Sequence, residues 1–131
     1  MRYLVDTAVF LWSVDAPQKL NSPAIEILEN RNDEIFLSPV ASWEIMIKIA
    51  QGKLMLSRTA SELLHLAFTN FGIQSLPITH THSLALGDLP PVHNDPFDRM
   101  LVAQAQSENM VLMTAEAVLG KYSVQTFWCG K

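Results

Sequence analysis

Covalent staples, flexible linkers and broad charged surfaces are all scarce in this sequence. One cysteine, Cys129, stands among 131 residues. A lone thiol closes no internal disulfide and no multi-cysteine zinc site, so the chain suits a reducing compartment. Glycines number only five, and none falls in a phosphate-cradling loop or a G-x-G-x-x-G fingerprint, which excludes the usual nucleotide-binding α/β proteins. No G-x-S-x-G marks a hydrolase elbow. Charged residues are 17% and the formal charge is −4, so no broad basic surface advertises nucleic acid. No apolar run approaches the ~18 residues of a membrane span. Met1–Val5 meets Asp6 too early for a signal peptide, and the expectation is a soluble, cytoplasmic protein without a membrane partner.

What the chain does hold is 49% hydrophobic residues, enough for a packed core. Without repeats or a Gly/Ser linker, residues 1–131 read as a single domain. Short apolar runs alternate with helix-period segments. Tyr3–Val5, Glu34–Leu37, Ile73–Ile78, Met110–Met113 and Val124–Trp128 read as strands. Between them lie a short helix from Ala8 to Val14, a helix capped by Ser22 with Pro23 first and Ile25 and Leu28 facing the core, and a helix opened by Ser38-Pro39 and stopped at Gly52. Thr59-Ala60-Ser61-Glu62 is a capping box leading into Leu63, Leu66 and Ala67, and Thr79 caps a short helix through Leu86. After a loop from Gly87 to Asn94, Asp95-Pro96 opens a helix striped by Phe97, Leu101, Val102 and Ala105. A short helix follows Glu116. The alternation implies an α/β fold whose mostly parallel sheet of four to five strands is covered on both faces. Ligands of such sheets bind beyond the carboxyl ends of the strands.

Acids cluster toward that edge in this reading. Asp6 ends the first strand and Glu116 follows the fourth, while Glu44 and Asp98 lie in the opening turns of two helices. Each has a plainer role open to it. Glu44 is spaced for an ion pair with Lys48, Asp95 and Asp98 suit a helix start, and Glu116 also precedes a helix. Asp6 has no capping partner evident in the sequence, and a buried carboxylate needs a cation or several donors. Four carboxylates meeting at one edge repel unless a cation joins them. Hard oxygen donors, without a suitable His/Cys set, select Mg2+ or Mn2+ over zinc and suit phosphoryl chemistry. His80, His82 and His93 lie outside metal-ligand spacing and read as capping or loop residues. A phosphatase would place a second acid two positions beyond Asp6, where Ala8 stands.

Together these residues resemble the PIN-domain family, and within it the VapC-type ribonuclease toxins. Leu4-Val5-Asp6-Thr7 is similar to the family's opening strand and first acid, and Ser38–Lys48, with Trp43-Glu44-Ile45, to the second motif. His93-Asn94-Asp95-Pro96-Phe97-Asp98-Arg99 through Ala105 resembles the third, with Asp98 its acid, and Leu112–Glu116 the fourth. Two positions depart from the pattern: Glu116 stands where Asp is usual, one methylene longer, and Ala8 where many members of this branch have His. Asp95 is placed to compensate for the first.

The resemblance implies a three-layer α/β/α domain and Mg2+- or Mn2+-dependent cleavage of RNA by metal-activated water. It assigns metal binding to Asp6, Glu44 and Asp98, assisted by Glu116. Thr7 and Thr114 would orient carboxylates or water, and Arg99 would meet RNA phosphate or else pair with Asp95. The implied partners are a small antitoxin covering the site and a second copy in a homodimer, with Trp12, Trp43 and Phe68 as candidate contact residues. A PIN-like binding module without catalysis and a housekeeping RNA-processing nuclease are the alternatives.

Overall fold

A computed structural model describes residues 1–131. Five parallel strands form one sheet: β1 (Arg2–Val5), β2 (Glu34–Leu37), β3 (Gln74–Ser75), β4 (Val111–Thr114) and β5 (Thr126–Trp128), in the order β3-β2-β1-β4-β5. Six α-helices connect and cover them: α1 (Thr7–Asp15), α2 (Ser22–Glu29), α3 (Pro39–Ala50), α4 (Ala60–Thr69), α5 (His80–Ala85) and α6 (Pro96–Glu108). The α/β expectation therefore holds.

Period-two alternation divides the strand side chains between two cores. Tyr3, Val5, Ile35, Leu37, Val111 and Met113 point to one face, where Val9, Phe10, Ala24, Ala41, Ile45, Leu63 and Ala67 from α1–α4 meet them. Leu4 and Leu112 point to the other, against Leu101, Val102 and Ala105 of α6 and Leu119 and Tyr122. Three layers result. The central strands β1 and β4 are apolar in sequence because they are buried on both faces. No helix is long and apolar enough to cross a membrane.

Local differences from the sequence reading have local causes. Asp6 caps α1, its Oδ1 accepting from Val9 N–H at 2.8 Å, so the helix begins at Thr7 and the carboxylate does have a capping partner. Asn21 rather than Ser22 caps α2, accepting from Ala24 N–H at 2.8 Å, and Ala24 is its fully buried residue while Ile25 and Leu28 are half-buried. Only Gln74–Ser75 of the expected third strand pairs. That strand lies at the sheet edge, and Pro77 has no N–H to extend the ladder. The segment after Glu116 is a 3₁₀ turn, Ala117–Lys121.

Candidate functional site

Parallel pairing puts the ends of β1 and β4 side by side: Val5 is in register with Met113, and Asp6 N–H donates to Met113 O at 2.9 Å. The residues just past these strands are therefore neighbours, although more than a hundred positions apart. Thr114 Oγ1 donates to Asp6 Oδ2 at 2.6 Å, and Ala115 N–H donates to the same oxygen at 3.2 Å. Helices that return between parallel strands start at this same edge. α3 accordingly brings Glu44 in its second turn and α6 brings Asp98 in its first. The positive end of α6 favours the Asp98 carboxylate in its first turn.

A cavity of about 260 Å3 opens here, and Asp6, Glu44, Asp95, Asp98 and Glu116 all line it, with Lys48 and Lys53. The four acids expected to meet do so, and Asp95 joins them. Asp6, Glu44 and Asp98 are buried, whereas Glu116 stands exposed at the rim. Asp95 is also the α6 cap, its Oδ1 accepting from Phe97 N–H at 2.8 Å and Asp98 N–H at 3.2 Å, so the plain and the functional readings coexist. Beside the acids, Trp43 and Phe97 meet edge to face with centroids 4.9 Å apart, tying α3 to α6. Trp12 lines the cavity half-buried, whereas Trp43 and Phe68 are exposed.

Hydroxyl groups orient the buried carboxylates. Thr7 Oγ1 donates to Glu44 Oε1 at 2.7 Å, while Lys48 Nζ reaches Glu44 Oε2 at 2.6 Å. The Glu44–Lys48 pair thus forms, with its carboxylate buried at the cavity wall and its ammonium on the exposed side. Its hydrogen bond to Glu44 raises the Lys48 ammonium's pKa, opposed by partial burial.

Burial first, and crowding of like charges second, raise the proton affinities of two of the acids. Asp6 is pushed up by burial, against the opposing hydrogen bonds from Thr114, Val9 and Ala115, with the Glu116 charge adding to the rise. Asp98 is pushed up to about 6, first by burial, then by the charge of Asp95, with smaller contributions from Asp6 and Glu44 and an opposing hydrogen bond from His93.

His93 is the residue that spacing did not reveal. Its Nε2 lies 3.0 Å from Asp98 Oδ2, and one ligand atom from each of His93, Asp95 and Asp98 falls within 4.8 Å of the others. The signal available was its place five residues before Asp98, in a loop that doubles back. His82 does take the capping role expected of it, in a capping box with Thr79.

Arg99 touches neither Asp95 through an ion pair nor the cavity. Its guanidinium donates to Pro90 O at 2.9 Å, Tyr122 Oη at 3.1 Å and Leu89 O at 3.4 Å. Adjacent helix positions are about 100° apart, so with Asp98 facing the cavity Arg99 cannot face it too. Instead it holds the loop that carries His93, whose N–H donates to the same Tyr122 hydroxyl at 3.0 Å.

The donor set fits a hard divalent cation. Asp98 Oδ1 receives no hydrogen bond, and each oxygen of Glu44 accepts only one, so lone pairs remain available. A divalent ion would offset both the burial of Asp98's charge and the repulsion from Asp95, Asp6 and Glu44 that together raise it. Asp6, Glu44 and Asp98 are placed to hold it, with Asp95, His93 and Glu116 within the same hollow. Cys129 offers no competing soft ligand or nucleophile: burial, then the charge of Asp6, pushes its thiol up to about 12.

Solved structures with the same fold span nearly the whole chain. VapBC2 from Rickettsia felis, bound to a DNA fragment from its promoter, matches with a TM-score of 0.75 at 14% identity, covering 98% of this chain and 99% of that one. FitAcB from Neisseria gonorrhoeae matches with 0.65 at 19% identity, covering 96% of each. VapBC-1 from nontypeable Haemophilus influenzae matches with 0.62 at 19% identity, covering 97% of each. Among curated proteins, none matches the sequence. The model of the PIN domain matches residues 3–124, a span that contains every carboxylate of the cavity, and the chain belongs to the PIN domain family.

Proposed function

We propose that this protein is a divalent-metal-dependent endoribonuclease, the toxin of a toxin–antitoxin pair, acting in the cytoplasm as a single domain. The observation that carries the reading is the convergence of Asp6, Glu44, Asp95, Asp98 and Glu116, from separate segments, in one cavity at the carboxyl edge of the sheet. When bound there, Mg2+ or Mn2+ would polarise the scissile phosphate and make water a nucleophile at neutral pH.

The chain's own residues supply the rest. Thr114, Ala115 and Val9 fix both oxygens of Asp6, and Thr7 with Lys48 fixes Glu44, so neither carboxylate must reorganise to accept a ligand. Lys48 offsets one of the cavity's charges. His93 holds Asp98 from the side away from its free oxygen. Glu116, exposed at the rim, is positioned to orient water or substrate rather than to anchor an ion alone. Membership of the PIN family supports nuclease chemistry, and the resemblance to VapBC and FitAcB structures supports an antitoxin as partner. Exposed Trp43 and Phe68 are the candidate contacts for that partner or for a second copy.

The test is cleavage of RNA by the purified protein with Mn2+, with EDTA, and after Asp6→Asn. Cleavage abolished by EDTA and by the substitution is expected; cleavage indifferent to both would remove the reading. One observation favours a binding module instead: Glu116 is exposed and longer than the usual Asp. Failure both to cut RNA and to bind Mn2+ would favour that alternative. Growth arrest on expression, relieved by the neighbouring small reading frame, separates a toxin from a housekeeping nuclease.

A further inference from the structure

Resting on the nuclease reading, we propose that Lys53 forms a binding subsite for a backbone phosphate of the RNA, aimed at the cavity by the turn that ends α3. Five carboxylates and two ammonium groups line this hollow, leaving three negative charges in excess. One divalent ion leaves a net negative charge, so an incoming phosphodiester still meets repulsion unless a cation at the rim receives it. Lys48 is already engaged, 2.6 Å from Glu44 Oε2. Lys53 is exposed and forms no ion pair, although it lines the same cavity as five acids.

Its position is imposed by backbone geometry. Gln51 caps α3 and Gly52 takes a left-handed φ of 71°. Gly52 N–H then donates to Ile49 O at 3.0 Å and Lys53 N–H to Lys48 O at 2.9 Å. These two reversed bonds are the signature of a Schellman motif, which folds the chain back over the last helical turn. Leu54, packed against the core, pins the exit. Both lysines are thereby brought to one wall of the cavity, the inner one serving a carboxylate and the outer one free for an anion. A cation at a helix C-terminus has a plain electrostatic role as well. That role affects folding stability and not affinity for RNA, so the two are separable.

The full chain is titrated with a fluorescein-labelled, mixed-sequence single-stranded RNA in Ca2+, which takes the same oxygen ligands. Lys53→Met is expected to weaken binding about tenfold, the worth of one charge-assisted hydrogen bond. It should also flatten the salt dependence by about 0.7 in log–log slope, the value for one single-strand phosphate. Lys53→Arg should restore both, and Lys19→Met, outside the cavity, should cost no more than about twofold. Equal affinity and slope for Lys53→Met and wild type, or an equal loss for Lys19→Met, overturns the assignment. The two readings fail differently. If wild type cuts RNA while Lys53→Met binds and cuts identically, only the subsite is lost; if wild type neither binds nor cuts RNA, the nuclease reading falls and the subsite with it.

Discussion

Replacing Asp98 with Asn should make the metal-free protein more stable, even though Asp98 is placed at the heart of the site. Asp98 has its carboxyl raised from 3.8 to about 6, and Asp95 lies within 4.8 Å of it. Each pKa unit corresponds to about 1.4 kcal/mol, so keeping Asp98 ionised at neutral pH costs the fold about 3 kcal/mol at most. Water entering the open cavity screens part of this, and Asn also needs desolvation, so the net gain from Asp98→Asn should be about 1–2 kcal/mol. Asn keeps a carbonyl oxygen for His93. For a chain of this length the gain is a rise in Tm of roughly 4–8 °C.

The sign of the pH dependence follows. A raised folded-state pKa means that the folded protein holds this proton more tightly than the unfolded chain. The stabilisation is fully present below the unfolded value of 3.8 and is lost as pH rises through about 6. Metal-free wild type should therefore gain about 0.8 kcal/mol between about pH 7.5 and about pH 5.5, and Asp98→Asn should not share that gain. Saturating Mn2+ reverses the ranking, because a ligand at a hundred times its Kd adds about 2.7 kcal/mol to the protein that binds it. Thermal melts of both proteins in EDTA and in Mn2+ test the whole scheme. An Asp98→Asn protein less stable than wild type in EDTA, or stabilised equally by Mn2+, refutes it.

Three further outcomes are expected. Thr114→Val removes the hydroxyl that holds Asp6 Oδ2 and should lower Mn2+ affinity and cleavage about 10- to 100-fold, with Thr114→Ser restoring both; calorimetric titration at wild-type affinity would count against the orienting role. Arg99→Ala frees the Leu89–His93 loop and should weaken Mn2+ binding while leaving the salt slope of RNA binding unchanged, whereas a phosphate contact would change that slope. Asn109 ends α6 at φ 54°, so Asn109→Ala should lose about 1 kcal/mol in urea denaturation and Asn109→Gly should not.

Period and punctuation in the sequence are enough to locate most of the elements. Glu34–Leu37 reads as β2 with its observed limits, and Ser38-Pro39 and Asp95-Pro96 open α3 and α6 where expected, because cap chemistry and proline's fixed φ act within a few residues. The shortfall at β3 has another cause: an edge strand is limited by what pairs with it, and an apolar run does not encode that. The acids too are visible as residues ending strands and starting helices, and the direction of a parallel α/β fold puts those positions at one edge.

Other features were decided only by tertiary structure. Thr114 reaches Asp6 because the register of β1 on β4 places residues distant in the chain at one level. His93 meets Asp98, and Arg99 turns away to the Leu89 and Pro90 carbonyls, because an irregular loop folds back over α6. Whether Glu44 meets Lys48 in open water or from a buried position at a cavity wall depends on which helices pack around it. Local chemistry chooses where an element starts and which residue types it carries. How many carboxylates share one hollow, and how strongly they repel there, depends on distances set by packing across the chain, and spacing along the sequence does not contain those distances.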